Sequence, residues 1–312
     1  MHPARILVSF TFLYHILRLK PQLVIATTFE LLPAAVLGKW LLHYKLVYDV
    51  QENYRKNIRF NRSLPALLRP IAEAVVWMAE TCTSPFVDGH LLAEACYRHE
   101  MPELKRALLL ENKAILPDRS YPPFRLAKPC ATLFLITGTI TEAYGTQDAI
   151  RWFLKLSELL PQARLEILGH CPLKHFGAQL RQEVKHHPQI HLHLSETPLP
   201  GGQIAEALLA SDVVLLPYRL LPSISAKIPT KLYEGIARQK PLLITPNPVW
   251  KTLIDAYPAG MEMDFLETGD LALTWQRFSA MEFYRQPPGK EISWEEEKRG
   301  FLAFLDSLNS GK

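Results

Sequence analysis

Cysteine is scarce in this chain. Only Cys82, Cys96, Cys130 and Cys171 occur, and no two of them form a CxxC pair. They read as reduced thiols of a cytoplasmic protein, not as a disulfide framework. Long apolar runs are missing too: the run from Ile6 to Leu17 is broken by Ser9, Thr11 and His15 and is too short to span a bilayer, and no signal peptide is evident. Internal repeats and low-complexity tracts are absent. Charge of one sign is in short supply. A net charge of +4 and a pI of about 8.8 are too weak to argue for a nucleic-acid partner without a concentrated patch. Six histidines crowd one region, His170, His175, His186, His187, His191 and His193, but without HxxxH or CxxC pairing they favour no metal site. What remains is an ordinary globular composition, 48% hydrophobic and 21% charged, in 312 residues, enough for two domains with full cores.

Apolar segments of two kinds alternate along the chain. A helix over 1–20 precedes a short strand over 23–26, a helix over 34–43 and a strand over 45–50. Residues 65–79 read as an apolar helix. Short strands are expected over 81–86 and 107–110, with a helix over 89–98 between them. Residues 112–128 hold Pro117, Pro122 and Pro123 and read as a linker. A second run of alternation follows: strands over 131–136, 164–168, 190–194, 212–216 and 241–244, and helices over 147–159, 174–185, 202–210 and 230–239. Residues 293–308 form an amphipathic helix. Strands alternating with helices at this spacing predict α/β architecture with parallel sheets wrapped on both faces. Ligands in such sheets sit beyond the carboxyl ends of the strands. Tyr54 to Pro70 carries Arg55, Lys56, Arg59, Arg62 and Arg69 and no acid. It reads either as a solvated loop or as a patch that meets anionic lipid at a membrane surface.

The stretch Ile228-Pro229-Thr230-Lys231-Leu232-Tyr233-Glu234 stands out chemically. Proline is favoured in the first turn of a helix, where its missing N–H would be unpaired anyway. The free N–H groups of Thr230 and Lys231 then point out of the helix end and, with the helix dipole, form an anion site. The Thr230 hydroxyl and the Lys231 ammonium add donors suited to a diphosphate, and Lys227 lies close by in sequence. Glu234, one turn further on, is placed to accept hydrogen bonds from ribose hydroxyls. Upstream, Thr137-Gly138-Thr139 leads through a small-residue loop to Gly145 and a helix, a phosphate-cradle layout that a plain βα turn would share.

These motifs resemble those of retaining glycosyltransferases of family 4. Residues 228–234 are similar to the sugar-nucleotide site of the PTKLYE-type members. Leu46-Val47-Tyr48-Asp49-Val50-Gln51-Glu52-Asn53-Tyr54 is similar to the acceptor-domain motif LVYDxHExY, and Phe29-Glu30-Leu31-Leu32-Pro33 resembles the loop before it. The resemblance implies a GT-B-like fold, two Rossmann-like doubly wound parallel-sheet domains, with the N-terminal one truncated. It implies an abbreviated acceptor-side domain over 1–115, a linker over 116–128, a nucleotide-sugar-binding domain over 129–290, and a C-terminal helix over 291–312 packing back across them. It implies transfer of a sugar from a nucleoside diphosphate sugar to a glycan or lipid-linked acceptor with retention of configuration, as in polysaccharide biosynthesis. Lys231, Glu234 and Gln51 would occupy catalytic positions. Gly138, Thr139, Ser195, Lys227, Thr230, Lys231 and Glu234 would bind the donor, and Glu30, Asp49 and Glu52 would line the acceptor side. No metal and no cofactor are implied, because the helix end substitutes for a cation.

The chain departs from that pattern in several places. Gln51 stands where a histidine is usual, and glutamine cannot titrate. Thr139 and Tyr144 replace basic residues of the glycine loop, and Ala226 leaves Glu234 as the remaining member of a paired-glutamate motif. The βα units that normally open the first domain are missing before Met1. A rival reading is therefore a non-catalytic sugar-nucleotide-binding or scaffold subunit, completed by a partner chain. Location in the cytoplasm, at the inner membrane surface through Arg55, Lys56, Arg59 and Arg62, is the matching expectation.

Overall fold

The computed structural model describes residues 4–60, 64–118, 120–267 and 269–310. Arg62, one of the basic residues singled out above, lies outside the described residues. The chain forms two compact units, residues 1–112 with 295–312, and residues 113–294.

In the first unit α1 (Ala4–Leu19) leads to β1 (Leu23–Ala26), α2 (Leu32–Leu42), β2 (Lys45–Val50), α3 (Tyr54–Phe60), α4 (Arg69–Thr83), β3 (Gly89–Leu92), the single turn α5 (Tyr97–Glu100) and β4 (Ala107–Leu109). The four strands form one parallel sheet in sequence order. Right-handed crossovers between sequential parallel strands place the connecting helices on one side. Ile16 of α1, Val36 of α2 and Val76 of α4 accordingly share one core cluster with Leu46, Tyr48 and Val50 of β2. Alternate strand residues point the other way, and Val47 and Leu91 fall in a separate cluster.

The second unit runs β5 (Leu133–Thr139), α6 (Thr146–Leu159), β6 (Arg164–His170), α7 (Lys174–Val184), β7 (Ile190–Ser195), α8 (Gly201–Ala210), β8 (Val213–Leu216), α9 (Thr230–Ala237), β9 (Leu242–Ile244), α10 (Pro248–Ala256), β10 (Gly260–Glu262) and α11 (Leu271–Ser279). Its six parallel strands are ordered β10-β9-β8-β5-β6-β7. Strands β8 and β9 are fully buried continuous apolar runs, as expected of strands covered on both faces: Val213 to Leu216 and Leu242 to Ile244 are all buried. The final helix α12 (Trp294–Ser310) belongs to the first unit, where Phe301, Phe304, Leu305 and Leu308 cover Val47 and Leu91.

The structure differs from the sequence reading around residues 81–98. Thr81, Cys82 and Thr83 continue α4, and Ser84–Phe86 form a single 3-10 turn, where a strand was expected. Thr83 returns its hydroxyl hydrogen to the Ala79 carbonyl at 2.6 Å, so a β-branched residue sits in the helix without an unpaired hydroxyl. The strand is instead Gly89–Leu92, all four residues buried, where a helix was expected. Gly89-His90-Leu91-Leu92 is too short to show either period, and its place between β2 and β4 decides it. Residues 54–60 are helical, not a loop. Asn53 Oδ1 accepts the Lys56 N–H at 3.0 Å and caps that turn. The sequence reading also passed over α10, β10 and α11. Asn247 and Asp270 cap α10 and α11 with side-chain oxygens, and Pro248 follows Asn247 at the start of α10.

Candidate functional site

In the second unit the strand order reverses between β5 and β8. The chain leaves β5 toward β6 on one side and leaves β8 toward β9 on the other. The loops beyond these two strands therefore diverge and open a crevice, the usual ligand position in such sheets. Gly138 and Thr139 close β5, and residues 217–229 follow β8 and deliver the chain to α9.

Two glycines shape the first loop. Gly138 has φ +110°, and a β-carbon there would stand 3.2 Å from Lys231 Cε. Gly145 has φ +66° at the start of α6, where a β-carbon would lie 1.7 Å from the Pro217 carbonyl oxygen. Neither backbone position suits a side chain. The two loops are also tied by polar and aromatic contacts. The Arg219 N–H donates to the Ala143 carbonyl at 3.0 Å, and the Tyr144 and Tyr218 rings lie 4.7 Å apart. Arg219 donates Nε and Nη2 to the two carboxylate oxygens of Asp148 at 2.6 and 2.8 Å. Asp148 is buried in the first turn of α6, and its hydrogen bond raises the Arg219 pKa above the ordinary value.

The second loop is held from α10. Asn247 Nδ2 donates to the Ser225 carbonyl at 2.9 Å, and the Trp250 indole N–H donates to the Lys227 carbonyl at 2.6 Å. Trp250 also packs edge-on to Tyr218 at 5.5 Å. Burial, with Tyr144 and Glu234 nearby, raises the Tyr218 pKa and keeps its phenol neutral. The loop thus arrives at α9 in one defined position. Pro229 is extended at the N-cap, and its carbonyl accepts the Leu232 N–H at 2.8 Å. The N–H groups of Thr230 and Lys231 have no intrahelical acceptor, as at any helix start. Thr230 is exposed and Lys231 and Glu234 are half-buried.

The predicted donor residues fall into two places. Gly138, Thr139, Thr230, Lys231 and Glu234 gather at the reversal point, with Lys231 lying over Gly138. Its Nζ donates to Glu234 Oε2 at 2.6 Å, so the lysine and glutamate assigned separate roles from sequence are paired with each other here. Lys227 belongs to the adjoining loop. Ser195 ends the edge strand β7, two strands from β5. At the spacing of parallel strands that is roughly 10 Å from Gly138. Its hydroxyl accepts the Thr197 N–H at 3.1 Å.

The first-unit residues sit at the carboxyl end of their own sheet. Gln51 is exposed and donates Nε2 to Asp49 Oδ2 at 2.6 Å. Burial raises the Asp49 pKa, and that Gln51 hydrogen bond opposes the rise. Glu52 is exposed and accepts from Asn57 Nδ2 at 2.8 Å. Glu30 lies in a 3-10 turn, and its carbonyl accepts the Ser9 hydroxyl at 2.9 Å. The basic stretch after Tyr54 is not a bare cationic face. Lys56 reaches Glu100 at 2.6 Å, Arg55 lies 3.9 Å from Glu103, and Arg59 pairs with Glu73. The acids missing locally from the sequence come from other elements.

Sequence reasoning overlooked Arg219 with Asp148, although Arg219 falls just beyond the strand expected over 212–216, on the side where ligands sit in such sheets. The signal was an aspartate set among the buried Ala149, Ile150, Trp152 and Phe153 at the start of α6. It also overlooked Glu80, which accepts the Tyr48 hydroxyl at 3.0 Å and whose pKa burial raises. Glu80 shares its helix face with buried Val76 and Thr83, so helical periodicity would have placed it inward. Among the described residues no group of three His, Cys, Asp or Glu side chains is placed to hold a metal ion. A cavity of about 830 Å³ opens at the amino ends of β5, β6 and β7, beside Gln162, Arg164 and Gln189, at the opposite end of the strands from the crevice.

No protein-family model matches the sequence, and no curated protein matches it by sequence. Solved structures do match the fold. A complex of HepE from Anabaena with UDP and glucose aligns with TM-score 0.66 at 12% identity, over 95% of this chain and 81% of that one. Sucrose-phosphate synthase from Thermosynechococcus elongatus aligns with TM-score 0.67 at 11% identity, over 98% and 78%. TarM from S. aureus aligns with TM-score 0.64 at 11% identity, over 95% of this chain, which spans 57% of the TarM chain. The chain therefore has the GT-B fold, two parallel-sheet α/β units.

Proposed function

We propose that this protein is a nucleotide-sugar-dependent glycosyltransferase whose donor diphosphate binds at the start of α9. One observation carries the reading: Lys231, in the first turn of that helix, lies over Gly138 at the point where the strand order reverses. A cation, free N–H groups and a hydroxyl then converge on the crevice beside a backbone with no side chain to keep a phosphate away. Structures of HepE with UDP and with UDP-glucose support a uridine donor by fold likeness.

In this reading Lys231 exchanges Glu234 for the diphosphate. Thr230, Lys231 and the first-turn N–H groups stabilise the negative charge that develops as the sugar C1–O bond breaks. Donors of this kind contribute about 3–4 kcal/mol each to catalysis. Glu234, released by Lys231, accepts from the ribose hydroxyls and orients the donor. The acceptor hydroxyl attacks C1 from the face that the diphosphate leaves, with retention, and its proton passes to the departing phosphate. Glu30, Asp49 and Glu52 serve the acceptor, a glycan or a lipid-linked sugar, and Gln51 takes the catalytic position next to Asp49. Ser195 and Lys227 complete the donor contacts, and neither metal nor cofactor takes part.

The second reading, a binding or scaffold subunit that works with a partner chain, is favoured by one contact. Gln51, at the position where the family pattern has a titratable histidine, is occupied by its neighbour Asp49. Calorimetric titration with UDP- and GDP-sugars, followed by a donor hydrolysis assay, separates the two. Binding with turnover supports transfer, and binding without turnover across a panel of acceptors supports the scaffold. No binding of any nucleotide sugar overturns both.

A further inference from the structure

We infer that the outer faces of α1, α2 and α4 form a docking surface for an anionic lipid bilayer. The inference does not rest on the donor-site reading, and it concerns a surface other than the basic stretch after Tyr54. These three helices cover one face of the first sheet, and each buries an inward apolar stripe in the same core cluster. Each also carries a second apolar stripe that faces solvent. On α1 it is Phe10, Tyr14 and Leu17, at spacings of four and three. On α2 it is Leu37, Trp40 and Leu41. On α4 it is Ile71, Val75 and Met78, joined by Trp77. Phe10 is 68% exposed, Leu41 58%, Trp40 57% and Trp77 51%. Exposed apolar side chains on three neighbouring helices call for an apolar neighbour on their outer side as well, even though Thr11, His15 and Arg18 of α1 are also exposed.

Charge selects the neighbour. Neither α1 nor α2 contains an Asp or Glu. Of the two acids on α4, Glu73 pairs with Arg59 and Glu80 is buried against Tyr48. Asp88, beside the end of α2, is held by Lys39 at 2.6 Å. Cations, by contrast, collect where α1 and α2 end and hand over to β1 and β2: Arg18, Lys20 and Lys45. The same end carries Trp40, which packs edge-on to Phe86 at 5.2 Å. Amphipathic aromatic rings beside a basic rim, whose nearby acid Asp88 is paired with Lys39, suit the headgroup level of a membrane with anionic lipids. Among the described residues no helix is long and apolar enough to cross a bilayer, so the surface lies on the membrane without spanning it.

The test is co-sedimentation of the full chain with vesicles of phosphatidylcholine alone or mixed with phosphatidylglycerol. We expect binding to the mixed vesicles, weakened by salt, with a blue shift of tryptophan fluorescence. Trp40→Ser with Leu41→Ser should lower vesicle affinity by roughly tenfold or more. Arg18→Gln with Lys20→Gln should cost roughly thirtyfold on mixed vesicles and little on phosphatidylcholine, at about 1 kcal/mol per basic residue. Should the first variant misfold by circular dichroism, the exposed charge pair decides. Wild-type protein that stays in the supernatant with both vesicle types overturns the proposal, as do variants that bind like wild type. A solution dimer that Trp40→Ser with Leu41→Ser turns into a monomer also overturns it, because the face then belongs to a second copy of the chain.

Discussion

Lys231 is laid across Gly138, so that a β-carbon at position 138 would meet Lys231 Cε at 3.2 Å on a backbone with φ +110°. The two residues come from the loop beyond β5 and the first turn of α9, elements that become neighbours only when β5 and β8 pair. Gly138→Ala therefore combines backbone strain with displacement of the lysine. We expect a stability loss of about 1–2 kcal/mol, read from the urea midpoint, together with weaker UDP binding. An unchanged midpoint would contradict the left-handed backbone at this position.

Lys231→Ala removes the cation proposed for the diphosphate and leaves Glu234 without its 2.6 Å partner. Affinity for UDP and UDP-glucose should fall by roughly tenfold or more, whereas UMP, with one phosphate, should lose less than about threefold. Calorimetry on the three ligands reads the difference directly. Equal losses would show that Lys231 does not grip the second phosphate.

Arg219, in the loop after β8, is clamped to Asp148 in the first turn of α6 through paired bonds of 2.6 and 2.8 Å. Arg219→Gln leaves a buried carboxylate without its cation. Breaking a fully buried pair costs about 3–5 kcal/mol, and because the Arg219 side chain is 39% exposed we expect about 2 kcal/mol. Adding Asp148→Asn should restore part of that loss, a coupling that denaturant unfolding of the four-member mutant cycle measures. Additive losses would mean that the pair contributes no coupling.

His90 gives the first unit a pH dependence with a defined sign. Burial lowers its pKa, opposed by its hydrogen bond to the Lys105 carbonyl. With Nδ1 2.7 Å from that carbonyl oxygen, the neutral ring with hydrogen on Nδ1 fits the site. In the unfolded chain the ring takes up a proton near pH 6.5. Below that pH the unfolded state binds more protons than the folded one, so the His90 contribution is present above about 6.5 and is lost as pH falls toward the folded value. Half-buried Asp49 and buried Glu80 act with the opposite sign, because their folded pKa values are raised. Comparing wild type with His90→Gln at pH 7.5 and 5.5 isolates the histidine: the variant should lose less stability on acidification. An equal loss in both proteins would remove His90 from the account.

Much of the fold was legible because hydrophobic period and helix-start chemistry are local. The strand Lys45–Val50 and the helix beginning at Thr230 were read with their correct first residues. Legibility failed at Gly89–Leu92, where a glycine, a histidine and two leucines fit a strand or a helix and only the flanking strands β2 and β4 arbitrate. It failed for charge as well. Lys56 looks unopposed in its own segment, and its partner Glu100 lies 44 residues away.

By itself the amino-acid order determined that this chain alternates strands and helices, that it builds parallel sheets, and that one helix begins with a proline, a hydroxyl and a lysine suited to an anion. Only the tertiary structure decided that the lysine would lie over Gly138, that Glu234 would hold it, and that Arg219 would close on Asp148. The reason is physical. Helix starts depend on a few consecutive residues, whereas these contacts depend on the strand order β10-β9-β8-β5-β6-β7, which sets side by side the loops beyond strands distant in sequence.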